Sequence, residues 1–144
     1  MAEPRSLQVR YRRRRPSVPA ARAKARAVAF DWRLPPHVAD SLEWVVTELV
    51  TNAVIHGRAT RGTYVLVAYH LDDDLLRVEV RDAATGTPNL ILSDTLASDL
   101  ALSGCGLKIV AALSESWGVT QRVIGKTVWA ELAMSSKEDE PHDR

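Results

Sequence analysis

Glu48, Asn52 and His56 recur at every fourth residue, the spacing at which side chains stack along one face of a helix. A carboxylate and a carboxamide one turn apart supply a proton acceptor and an oxygen ligand for a hard cation such as Mg²⁺. The same stripe also suits the solvent face of an amphipathic helix. Asp82 closes the alternating run Leu75–Asp82, and a carboxylate at the carboxyl end of a strand can accept a hydrogen bond from an exocyclic amine. Gly86 follows in Ala-Ala-Thr-Gly-Thr-Pro, a stretch that a plain surface turn also explains. In Gly104-Cys105-Gly106, just before an apolar helical run, two glycines admit close approach to the backbone, and the free N–H groups of a helix start attract anions. This is not the dinucleotide fingerprint, because Ile109 stands at its third glycine position and no βαβ unit surrounds it, and no P-loop is present.

These groups need elements to hold them. Leu7, Val9 and Tyr11 alternate in a strand over 6–13. An Ala-rich helix follows from about Pro19 to Trp32 and is broken by Leu34-Pro35-Pro36. The long helix that carries Glu48 runs from Pro36 to His56, with Gly57 at its C-cap. Its apolar positions Leu42, Val45, Val46, Leu49 and Ala53 recur at three and four. Strands over 63–70 and 75–82 flank Asp72-Asp73-Asp74, a third helix runs from Gly104 to about Ser116, and strands over 117–124 and 127–134 flank Gly125-Lys126. The order β-α-α-β-β-loop-α-β-β predicts an α+β two-layer sandwich, a mixed sheet of about five strands with three helices on one face. The loop before Gly104 is long enough to be a lid or binding loop.

Composition narrows the class. The chain has 144 residues, 46% hydrophobic and 26% charged, enough for one domain. Its longest run without a charged residue, Ala83 to Ser93, is too short to span a bilayer. The single cysteine, Cys105, excludes an internal disulfide and fits the cytoplasm. The net charge of +1 conceals a split. Residues 1–30 hold nine Lys/Arg against one acid, giving +8, whereas residues 31–144 hold ten against seventeen, giving −7. The basic head, with Arg12-Arg13-Arg14-Arg15 at its centre, is followed by no apolar signal region. It reads either as a solvated terminal segment or as an arm for nucleic acid.

Taken together, Glu48-Leu-Val-Thr-Asn52-Ala-Val-Ile-His56-Gly57, Asp82-x-x-x-Gly86, Gly104-Cys-Gly106-Leu-Lys-Ile-Val110 and Gly125-Lys-Thr127 occur in an order that resembles the boxes of the GHKL ATPase superfamily. Within it the chain is most similar to the small single-domain branch of anti-sigma-factor serine/threonine kinases and their ATP-binding regulatory relatives. The resemblance covers residues 16–134, leaving 1–15 as a basic segment with an edge strand and 135–144 as a polar, disordered tail. It implies that Asn52 holds Mg²⁺ on the ATP phosphates and that Glu48 is the general base. It implies that Asp82 binds the adenine amino group, with Thr127 nearby through water. Gly86, Gly104, Gly106, Leu107 and Lys108 complete the nucleotide site, and residues 87–103 form the lid. It further implies a cytoplasmic homodimer that binds a sigma factor, an anti-anti-sigma (STAS-type) protein, or both. Ala84 stands where the family has the first glycine of its Asp-x-Gly-x-Gly box, so a regulator that docks its partner without transferring phosphate is the alternative.

Overall fold

The computed structural model describes residues 4–56, 64–82, 105–121 and 125–135. In chain order these form β1 (Arg5–Arg12), α1 (Ser17–Asp31), α2 (Pro36–His56), β2 (Tyr64–Asp72), β3 (Leu75–Asp82), α3 (Cys105–Leu113), β4 (Ser116–Gln121) and β5 (Lys126–Ala133). Among the described residues no helix is long and apolar enough to cross a membrane.

Helix α1 begins at Ser17, two residues before the expected Pro19, and the Ser17 hydroxyl donates to the Arg12 carbonyl. It turns Ala21, Ala25, Val28 and Ala29 inward, the three-and-four spacing of one buried face. Its end is a Schellman turn in which the Leu34 N–H donates to the Ala29 carbonyl (3.0 Å) and the Arg33 N–H to the Phe30 carbonyl (3.2 Å). Arg33 occupies the left-handed position at φ 56, which glycine usually fills and which costs a residue with a Cβ about 1–2 kcal/mol. Pro36 then opens α2, where its missing N–H would have had no intrahelical partner. The two helices are joined by Arg26–Glu43 (2.7 Å) and by Arg22 Nε donating to the Thr47 hydroxyl (3.3 Å).

The sheet order is β1-β2-β3-β5-β4, and every neighbouring pair is antiparallel. This corrects the expected mixed sheet. The crossover through α3 carries the chain from β3 to β4, but β5 turns back and inserts between them. Strands β3 and β4 therefore point the same way without touching. Val65, Val67, Tyr69, Leu76, Val78, Val80, Val128, Ala130 and Leu132 form the sheet's half of the core, against Val38, Leu42, Val45, Val46, Leu49 and Val50 of α2. At roughly 1.5–3 kcal/mol for each fully buried aliphatic side chain, this layer is the main stabilising contact. The ring of Trp32, just beyond α1, meets Tyr69 edge-on at 6.4 Å.

Among the described residues no helix lies over the other face of the sheet. Its register rows run Arg10–Leu66–Arg81–Thr127–Thr120, then Gln8–Ala68–Glu79–Trp129–Gly118, then Ser6–His70–Arg77–Glu131–Ser116. Two guanidiniums lie on rings there: Arg10 over Tyr64 at 4.7 Å and Arg77 over Trp129 at 4.3 Å. Arg77 also pairs with Glu79 (2.7 Å) and Glu131 (2.8 Å), and burial opposes these partners, which hold its charge above the usual arginine range.

Candidate functional site

A buried polar group is costly unless it is partnered or kept for a purpose. Among the described residues, apart from the phenol of Tyr69, three polar side chains are buried: Asn52 (7% exposed), Asp82 (7%) and Thr127 (3%). All three belong to the set that the sequence singles out.

Asn52 lies seven residues after Val45 and three after Leu49, so helical geometry carries it into the core-facing stripe of α2. Its amide Nδ2 is buried with no hydrogen-bond partner. Glu48, one turn earlier, sits on the flank of that stripe and is half-buried. The helix thus presents a half-exposed carboxylate beside an enclosed carboxamide, about 6 Å apart along the axis. His56 ends α2 as expected, but its side chain lies outside the described residues.

Asp82 reaches the interlayer because β3 alternates strictly. Leu76, Val78, Val80 and Asp82 are its buried positions. The sheet holds that strand end from the side through Gly125. A Cβ built on Gly125 would lie 2.0 Å from the Asp82 carbonyl oxygen, and Gly125 has a left-handed φ of +75. Both facts require glycine here. This is the contact that sequence reasoning missed. The available signal was Gly125-Lys126-Thr127, read as a turn and a family box, but nothing local says which strand end the turn touches.

Thr127 is buried at the same end of the sheet, directly across from Arg81. By the pleat it shares the face of Arg81 and Trp129, whereas Asp82 follows the face of Val80. The register therefore brings Thr127 beside the end of β3, one position from Asp82. Helix α3 starts at Cys105, as the Gly104-x-Gly106 pattern predicts. Gly106 lies in its first turn, Leu107 is packed into the core and Lys108 is exposed. Gly86, Gly104 and the whole expected lid at 87–103 lie outside the described residues.

The fit to a nucleotide with its cation rests on Asn52. Oxygen and nitrogen of a carboxamide exchange places by a half-turn of the side chain, so the unpartnered end of Asn52 can present either an oxygen to a cation or a donor to an anion. A hard cation needs few protein ligands when phosphates supply the rest. Asp82 offers a buried acceptor for an amino group, and the residues present fit the group.

Comparison with known proteins agrees. Residues 12–132 match the family described as the histidine kinase-like ATPase domain. The chain is 29% identical over 100 residues to an anti-sigma F factor of Clostridium acetobutylicum, covering 65% of this chain and 70% of that protein. It is 33% identical over 95 residues to an anti-sigma F factor of Bacillus licheniformis, covering 61% of this chain and 65% of that one. The chain thus spans about two thirds of the length of these relatives. A buried carboxamide on the long helix, a buried carboxylate at a strand end and a match across nearly the whole sheet-and-helix unit place this chain in the histidine kinase-like ATPase (GHKL) family.

Proposed function

We propose that the protein is an ATP- and Mg²⁺-dependent serine/threonine kinase that acts as an anti-sigma regulatory factor and phosphorylates an anti-anti-sigma partner. The observation that carries this reading is the enclosed, unpartnered amide of Asn52 one turn from the half-buried carboxylate of Glu48. Likeness to two proteins named anti-sigma F factor supports the regulatory half.

Bound ATP and Mg²⁺ would supply the transferable phosphoryl group and neutralise its charge. The chain's part is positioning and proton transfer, which is most of what phosphoryl transfer demands. Asn52 holds the cation. Asp82 accepts a hydrogen bond from the adenine amino group, with Thr127 beside that strand end. Gly86, Gly104, Gly106, Leu107 and Lys108 would hold the phosphates, with residues 87–103 as the lid that the family resemblance implies. Glu48 would take the proton of a serine or threonine hydroxyl on the partner, the oxygen that would receive the γ-phosphoryl group while the bond to the β-phosphate oxygen breaks and ADP leaves. Residues 16–134 make up the ATP-binding domain, acting in a cytoplasmic homodimer whose other partner is a sigma factor.

Titration calorimetry with ATP and Mg²⁺ tests binding, and radiolabel transfer to a purified STAS-type partner tests catalysis. Equal transfer by wild type and Glu48→Ala would remove Glu48 as the base. Ala84 favours a second reading, a docking regulator without transfer. Absence of binding heat at millimolar ATP would select it.

A further inference from the structure

The face of the sheet that no described helix covers is electrically divided. At one end Arg77 is matched by Glu79 and Glu131, and Ser116 donates to Glu131 at 2.9 Å. At the other end Arg10 and Arg81 flank Leu66 in one register row, with Arg12 and Tyr64 in the next. Among the described residues neither Arg10, Arg12 nor Arg81 has a carboxylate partner. Arg10 and Arg12 are exposed, and the Arg81 Nε is buried with no hydrogen-bond partner. The Tyr64 ring holds the Arg10 guanidinium at 4.7 Å, which limits the freedom that arginine would lose on binding.

We infer that this end of the open sheet face, Arg10, Arg12 and Arg81 around Leu66 and Tyr64, is a docking surface for an acidic segment of a protein partner. Two observations favour a polypeptide over nucleic acid. Among the described residues Tyr64 and Trp129, the large rings of this face, each already carry a guanidinium, which competes with the base stacking on which single-strand binding relies. The patch is also short. Arg10 and Arg81 lie two strand spacings apart, about 10 Å; their row continues into the uncharged Thr127 and Thr120, and Glu79 and Glu131 stand in the next two rows along the strands. A phosphate chain, with one charge per roughly 3.4 Å of each strand, would run past the two guanidiniums onto uncharged threonines or, turned along the strands, onto those carboxylates. A few carboxylates spaced to meet Arg10 and Arg81 bidentately would not.

The probes are a short synthetic Glu/Asp-rich peptide and a single-stranded oligothymidylate of matched charge, their affinities read by fluorescence anisotropy at fixed salt on the full chain. The peptide should bind wild type. Arg10→Gln and Arg81→Gln should each weaken it about tenfold, the loss expected for a charge-assisted hydrogen bond. The pair Arg14→Gln/Arg15→Gln, off the sheet face, should change it by less than about threefold, in line with exposed ion pairs. Exposed Arg10 carries the test if Arg81→Gln melts early. The inference fails if the peptide does not bind, if Arg10→Gln binds it like wild type, or if the Arg14/Arg15 variant takes the larger loss. Tighter binding of the oligothymidylate than of the peptide also overturns it and makes the basic head a nucleic-acid arm.

Discussion

Replacing Gly125 by alanine should damage stability and nucleotide affinity together. The added methyl would stand 2.0 Å from the Asp82 carbonyl oxygen, where ordinary contact begins at 3.4 Å. Either the turn or the end of β3 must then shift by about 1 Å or more, and overpacking of this kind costs about 1–3 kcal/mol. The left-handed φ of +75 adds about 1–2 kcal/mol for a residue with a Cβ. Together these predict a loss of about 2–5 kcal/mol, or a fall of roughly 5–20 °C in Tm for a domain of this size. The group pushed aside belongs to Asp82, so ATP affinity should drop about 10- to 100-fold, the worth of a charge-assisted hydrogen bond. Urea unfolding and calorimetry measure the two effects. Gly118→Ala is the control: its Cβ would meet the Trp129 ring at 2.8 Å on the open face, so it should cost stability while leaving ATP affinity unchanged. A Gly125→Ala protein with wild-type affinity would refute the assignment of Gly125 as the support of Asp82, whatever its Tm.

Three further outcomes are expected. Asn52→Leu removes an unpartnered buried amide and should raise unfolding free energy by about 1–2 kcal/mol while abolishing ATP binding; a destabilised variant that still binds would reverse the reading. Glu48→Gln should keep ATP affinity within about threefold and slow transfer to the partner about 10²- to 10⁴-fold, the usual worth of a general base. Tyr69 should govern the alkaline limb of stability. Burial, and next the neighbouring Tyr11 phenol, hold its hydroxyl well above the ordinary tyrosine range, so its contribution is complete below pH of about 10, where unfolded tyrosine titrates, and is lost above it. In Tyr69→Phe that loss should shrink, as read from urea midpoints on either side of that pH.

What could be read from the sequence follows the range of the forces involved. Helix α2 ends at Pro36 and His56 as expected, because capping, proline and the spacing of Leu42, Val45, Val46 and Leu49 are all local. Asn52 is legible through its four-residue spacing from Glu48 and His56, and Asp82 through its place at a strand end, whereas the burial of Asn52 in the core-facing stripe depends on how α2 packs. Pairing of distant strands has no such local trace. Nothing near Val128 says that β5 will lie between β3 and β4, so the expected mixed sheet gives way to an antiparallel one. The stacking of Arg10 on Tyr64 depends on the β1–β2 register, fixed across two intervening helices, and the sequence displays only a basic run. Thr127 shows both sides: its place at the strand end was legible, and its position across from Arg81 was not.

The seam between β3 and β5 has a kinetic consequence. The β2–β3 hairpin closes through the two-residue turn at Asp73-Asp74, and α1 meets α2 across a few residues, so both can form early at little loop-closure entropy. Strand β5 must find β3 across the whole chain between Asp82 and Lys126, the kind of non-local pairing that slows folding. Asp82 and Gly125 face each other across that late seam. A ligand gripped there binds only after the slow step is complete, so it should slow unfolding while leaving the folding rate unchanged. On this account the proposed nucleotide site is also the last suture of the fold.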